Sequence, residues 1–106
     1  MSSEKAPNKK RANAPLRSDL AIFAKDWERI RKTGRQDLSR AKDGMMLLIA
    51  DDGPLPPQFS DHALTGDWSS CREFHAGGDL LVIYLVRAKE REIRFVRIGT
   101  HAELFE

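Results

Sequence analysis

At 106 residues and 41% hydrophobic content, the chain is expected to hold one small packed domain, which excludes a multidomain assembly. No apolar run approaches the roughly 18 residues of a membrane span and no signal-peptide pattern opens the chain, so a cytoplasmic protein without a membrane partner is expected. The single Cys71 excludes an intrachain disulfide, and a net charge of +2 is too small to argue for a nucleic-acid partner.

Even that small charge is local. Residues 1–14 carry a surplus of +3, leaving the remainder at −1, and their Lys, Asn, Pro and Ala content predicts a disordered basic arm ahead of a single domain over 15–106. A short strand is expected near Ala14–Arg17. From Asp19 to Thr33, Leu20, Phe23, Trp27 and Ile30 recur at helical spacing, with Ser18 as N-cap and Gly34 as stop. A second helix is expected from Asp37 to Ala50, its apolar stripe made of Leu38, Ala41, Met45, Leu48 and Ile49. Gly44 weakens that helix by about 1 kcal/mol relative to alanine. The short link between the two predicts an antiparallel hairpin.

Asp51–Pro57, dense in proline, ends the helical half. The period then changes to that of strands, expected at Trp68–His75, Asp79–Val86 and Glu92–Ile98. Leu80–Val86 is apolar throughout, as a strand covered on both faces must be. Helix, helix, then strand meander predicts an α+β fold, with the helical pair packed on one face of an antiparallel sheet.

The only histidines, His62, His75 and His101, all lie in this second half, and histidine is the side chain best suited to proton transfer near neutral pH. Reading Ala76-Gly77-Gly78 as the hairpin loop makes His75 and Asp79 cross-strand neighbours, so that the carboxylate holds one imidazole tautomer. The third strand brings Arg97, Gly99 and His101 back to the same rim. His62 joins them only if the Phe59–Gly66 loop folds back. Tight metal-binding pairs such as C-x-x-C or H-x-x-x-H are absent, so neither a metal nor another cofactor is expected. No nucleophile elbow supports Ser69 or Ser70.

Leu55-Pro56-Pro57, Asp61-His62-Ala63-Leu64-Thr65-Gly66, Arg72-Glu73-Phe74-His75, Asp79, Tyr84, Arg97-Ile98-Gly99-Thr100-His101 and Leu104-Phe105 form an ordered series. From about Leu16 to Phe105 the chain resembles the YafQ toxins of the RelE/ParE superfamily. The resemblance implies a RelE-like fold and a ribosome-dependent endoribonuclease that cuts mRNA in the ribosomal A site. It also implies a cognate antitoxin as partner, with operator DNA contacted only through the antitoxin complex. Carried over by position, the catalytic set is His62, His75, Asp79 and His101, and the RNA- and phosphate-binding pair is Arg97 and Phe105. Leu80 departs from the tryptophan that such toxins commonly place after the aspartate.

RNA carries its own nucleophile, the ribose 2′-OH, so cleavage to a 2′,3′-cyclic phosphate and a 5′-OH needs only proton transfer and charge stabilisation. His101 is expected to protonate the leaving group or to act as the principal acid–base group. Asp79 and His75 would supply or position the other proton transfer. Arg97 suits a phosphate clamp, or else a structural ion pair such as one with Glu73. Phe105 would stack on a base or anchor the terminus in the core. The basic group Lys25, Arg29, Arg31, Lys32 and Arg35 is either a solvated helix face or a contact for ribosomal RNA or an acidic antitoxin segment. Two rivals stand beside the nuclease: a non-enzymatic ParE-like gyrase inhibitor, and a degenerate toxin that binds only antitoxin and DNA.

Overall fold

Helical spacing of apolar residues winds the chain into helix α1, Leu20–Thr33, which buries Phe23 and Ile30. The computed structural model describes residues 20–51 and 54–105; the basic arm, the strand expected near Ala14–Arg17 and the caps Ser18 and Asp19 lie outside them. Arg31 and Lys32 in the last turn complement the helix dipole, and Gly34, at φ +68, ends the helix where a side chain would be strained. Helix α2, Ser39–Asp51, starts two residues later than expected. Asp37 stands outside it as the acceptor for the Ser39 amide (2.9 Å) and hydroxyl (2.7 Å).

Ala41 and Leu48 of α2 reach the core, but Ile49 does not: it is 60% exposed, next to exposed Met46 and Leu47. Gly44 has a purpose that propensity hides. A Cβ there would lie 2.5 Å from the Phe74 ring, so the glycine lets the helix close onto the sheet.

The sheet has four antiparallel strands in chain order: β1 (His62–Ala63), β2 (Arg72–His75), β3 (Leu80–Arg87) and β4 (Glu92–Thr100). β3 is central and covered on both faces, as its apolar run demands. Leu80, Val82 and Tyr84 face the core shared with Phe74, Ile98 and both helices. Leu81 and Ile83 face a second core with Trp68, Cys71, Val96, Leu104 and Phe105. Trp68 belongs to a short 3-10 turn, Gly66–Trp68, and not to the strand expected to start there. β1 and a last helix, α3 (His101–Phe105), were not foreseen. No helix among the described residues is long and apolar enough to cross a membrane.

Candidate active site

The register of β1 on β2 sets His62 opposite Glu73, and alternation along β2 puts Glu73 and His75 on one face. The side chains meet there. His62 Nε2 lies 3.0 Å from Glu73 Oε2, and His75 Nε2 lies 3.9 Å from the same oxygen. The two imidazoles are 6.0 Å apart between centroids, and Glu73 is buried beneath them. His62 Nδ1 is 2.7 Å from the Ser60 carbonyl. A carbonyl only accepts, which assigns a hydrogen to Nδ1. Nε2 then faces the Glu73 carboxylate.

A buried latch holds the segment that carries His62. Asp61 accepts hydrogen bonds from the Tyr84 hydroxyl, at 2.8 Å to each carboxylate oxygen, and from Arg72 Nε at 3.1 Å. Burial, and then the Asp61 carboxylate, push the Tyr84 phenol up to about 12, with Arg72 partly opposing the shift. Ser60, directly before the latch, takes the left-handed region at φ 49, uncommon for a residue with a side chain. The loop thus folds back, which the sequence permitted without requiring, and it does so by adding β1 to the sheet.

His101 is held differently. It is the first residue of α3, and Thr100 and Glu103 close a capping box around it. Thr100 Oγ1 accepts from the Glu103 amide at 3.2 Å, while Glu103 Oε1 accepts from the Thr100 amide at 2.8 Å. Glu103 Oε2 also accepts from Arg29 Nη1 at 2.6 Å, tying the cap to α1. Gly99 fits closely against this cap: a Cβ would fall 2.9 Å from Glu103 Oε1, so the Glu103 side chain would have to shift. The His101 ring, exposed and 5.0 Å from the Phe105 ring, makes no hydrogen bond or ion pair among the described residues.

Between these anchorages lies a cavity of about 370 Å³, lined by Leu64, Gly66, Trp68, Glu73, His101 and Phe105 among others. One site therefore draws on the β1–β2 connection, β2 and α3.

Comparison with known proteins supplies the family. Residues 18–106 match the family of YafQ, described as a bacterial toxin of a type II toxin–antitoxin system. The chain belongs to the YafQ family. It is 37% identical over 83 residues to the mRNA interferase toxin YafQ of Escherichia coli K12, covering 78% of this chain and 87% of that protein. The toxin fold superposes on the E. coli DinJ–YafQ toxin–antitoxin complex with a TM-score of 0.71 and 36% identity, over 80% of this chain and 90% of that one. A metal-bound toxin from Helicobacter pylori gives 0.70 and 36%, over 79% and 91% of the two chains.

Against that YafQ frame, several expectations change. Asp79 does not face His75. The register pairs His75 with Leu81, the Ala76 amide bonds to the Leu80 carbonyl at 2.8 Å, and Asp79 is an exposed residue of the turn. The carboxylate beside the histidines is Glu73, which shares a strand face with His75 by simple alternation. Arg97 is not an open phosphate clamp, nor does it pair with Glu73. Asp26 of α1 holds it through Nε at 2.6 Å and Nη2 at 3.1 Å, and Asp26 also accepts the edge amide of Ile98. Phe105 is 8% exposed and sits edge-to-face against Trp68 at 5.8 Å, so it anchors the terminus and offers only its rim to the cavity. Leu80, the departure from tryptophan, is fully buried.

No metal was expected from sequence spacing, yet the fold brings one candidate ligand group together among the described residues. His62, Glu73 and His75 offer ligand atoms within 4.8 Å of one another. Two imidazoles and a carboxylate suit a borderline divalent cation, and the Ser60 carbonyl fixes the outer nitrogen of His62 as metal sites commonly require. The ligands come from strands rather than from a tight sequence pair, which is why spacing missed them.

Proposed function

We propose that this chain is the toxin of a type II toxin–antitoxin pair and an endoribonuclease that cleaves mRNA on the ribosome by metal-free transesterification. The observation that carries the reading is buried Glu73, which lines one cavity with His101 and meets His62 and His75 through Oε2, in a chain 37% identical to a protein named mRNA interferase toxin. His101, whose ring is unengaged, protonates the leaving 5′ oxygen. His75 takes the proton from the attacking 2′-OH, Glu73 positions the two imidazoles, and His62 lies beside the charge that develops on the phosphorane. Asp79, exposed beyond His75, is assigned to the substrate side. A cognate antitoxin silences the activity, in keeping with the DinJ–YafQ complex.

The metal-bound relative gives the triad a second reading, in which His62, Glu73 and His75 hold a divalent cation that would polarise a phosphoryl oxygen. Cleavage that persists in chelator favours the first reading; cleavage restored only by added cation favours the second.

The test is to induce the wild type and His101→Ala in a bacterium lacking the antitoxin and to map mRNA ends on ribosomes. Wild type should cut inside coding regions and His101→Ala should not. Normal translation accompanied by DNA damage would point to gyrase poisoning instead.

A further inference from the structure

Among the described residues, two buried side-chain polar atoms have no hydrogen-bond partner: Trp68 Nε1, a donor, and Glu73 Oε1, an acceptor. Both residues line the cavity beside His101. Leaving a buried donor or acceptor unsatisfied costs roughly 1–3 kcal/mol, so such atoms are rare in native structures and call for an explanation. The other oxygen of the same carboxylate, Oε2, is already engaged by His62. The unpartnered pair is therefore one N–H and one lone-pair oxygen, buried on side chains of two cavity-lining residues that are 4% and 6% exposed.

We propose that this cavity reads a nucleobase of the RNA substrate, the base edge meeting Trp68 Nε1 and Glu73 Oε1. This deepens the nuclease reading and rests on it. At about 370 Å³ the cavity falls in the small-molecule range of roughly 300–1,000 Å³. A nucleobase is flat and carries a donor beside an acceptor on its pairing edge, which is the complement of what the two atoms offer. The exposed His101 ring, backed by Phe105 at 5.0 Å, supplies an aromatic surface for its face. Because His101 stands at that surface, the base that enters belongs to a nucleotide adjoining the scissile phosphate. Trp68 is a specificity-determining residue, while Glu73 serves both the base and His62. A site that pairs both atoms with one base leaves them unpaired with the wrong base, which is a strong source of discrimination.

Trp68→Phe removes the N–H and keeps an aromatic ring against Phe105. Mapping cleavage ends on ribosomes, wild type should show one base enriched at a fixed position beside the cut. Trp68→Phe should flatten that enrichment roughly tenfold while still cutting. The second measurement needs no variant. The chain has two tryptophans, so the indole N–H resonances of Trp68 and Trp27 can be followed together while the four nucleoside 3′-monophosphates are titrated into the purified full chain. One nucleotide should move the Trp68 signal well before the others do, with Trp27 unmoved. The same base distribution in wild type and Trp68→Phe, or equal response to all four nucleotides, overturns the pocket and leaves the nuclease standing. Absence of any ribosomal cleavage by wild type removes the nuclease reading itself.

Discussion

The two sides of this site are anchored by opposite means. His101 is held by residues within three positions of it, through the Thr100–Glu103 capping box. His62 is held by residues far along the chain: Asp61 beside it is clasped by Arg72 and by Tyr84, 23 residues away from Asp61. The local anchorage is a solvent-facing helix end worth about 1 kcal/mol. The distant one is a part-buried cluster in which Asp61 and Tyr84 are enclosed and Arg72 is partly exposed, and its rupture is more costly. In the proposed mechanism, proton transfer can thus be disabled on one side without unfolding the protein, whereas the other side is bound up with the sheet itself.

The comparison can be broken most sharply at His101. His101→Ala should lower mRNA cleavage roughly 10²–10⁴-fold, the usual worth of a general acid or base. Its melting temperature and antitoxin binding should match wild type, because the ring makes no polar contact within the described chain. A large drop in melting temperature would show that His101 is structural.

Asp61→Ala removes the acceptor for two donors and should destabilise the fold by about 3–5 kcal/mol, read by denaturant unfolding, with loss of cleavage as β1 detaches. A variant as stable as wild type would mean that the latch carries no weight.

Tyr84→Phe leaves Arg72 on Asp61 and should cost less, about 1.5–3 kcal/mol. The same residue gives the latch a signature in alkali. The folded state keeps the phenol proton up to about 12, whereas an unfolded tyrosine releases it near pH 10. Stability from this source is complete below pH 10 and declines as pH rises toward 12. Tyr84 is the only tyrosine, so tyrosinate absorbance reports it directly, and Tyr84→Phe should abolish that decline. A midpoint near 10 in the folded protein would falsify the buried hydrogen bond.

The smallest effect is expected on the local side. Glu103→Ala opens the capping box at a cost of about 1 kcal/mol, yet cleavage should fall by more than that stability loss explains, because His101 loses its fixed position. Unchanged cleavage at reduced stability would separate the cap from the catalytic geometry.

The same contrast explains what could be read from the sequence. Both helices and the buried strand β3 follow from periodicity and are found within a residue or two of where it puts them. The T-x-x-E signature of α3 was there to be read, but five residues after a strand leave no periodic run to draw attention to it. Glu73 was equally accessible, since residues two apart on a strand share a face. Asp79 was misplaced because the glycines allow the loop to sit one residue further along. Gly77 and Gly78 both take positive φ, the loop becomes Gly77–Asp79, and the pairing partner of His75 shifts from 79 to 81. The Arg97–Asp26 pair spans 71 residues and arises only when α1 covers the free edge of β4. No local pattern encodes such a contact.

Gly99 carries a consequence for how this protein can vary. Any side chain there would press on Glu103 Oε1, the atom that caps Thr100, and on Leu104 at 3.3 Å. Replacing Gly99 alone displaces the cap, and shortening Glu103 alone loses it. The two positions are therefore epistatic: a library randomised at both should recover larger residues at 99 mainly alongside a changed residue at 103, and such paired survivors should hold His101 less firmly than the parent does.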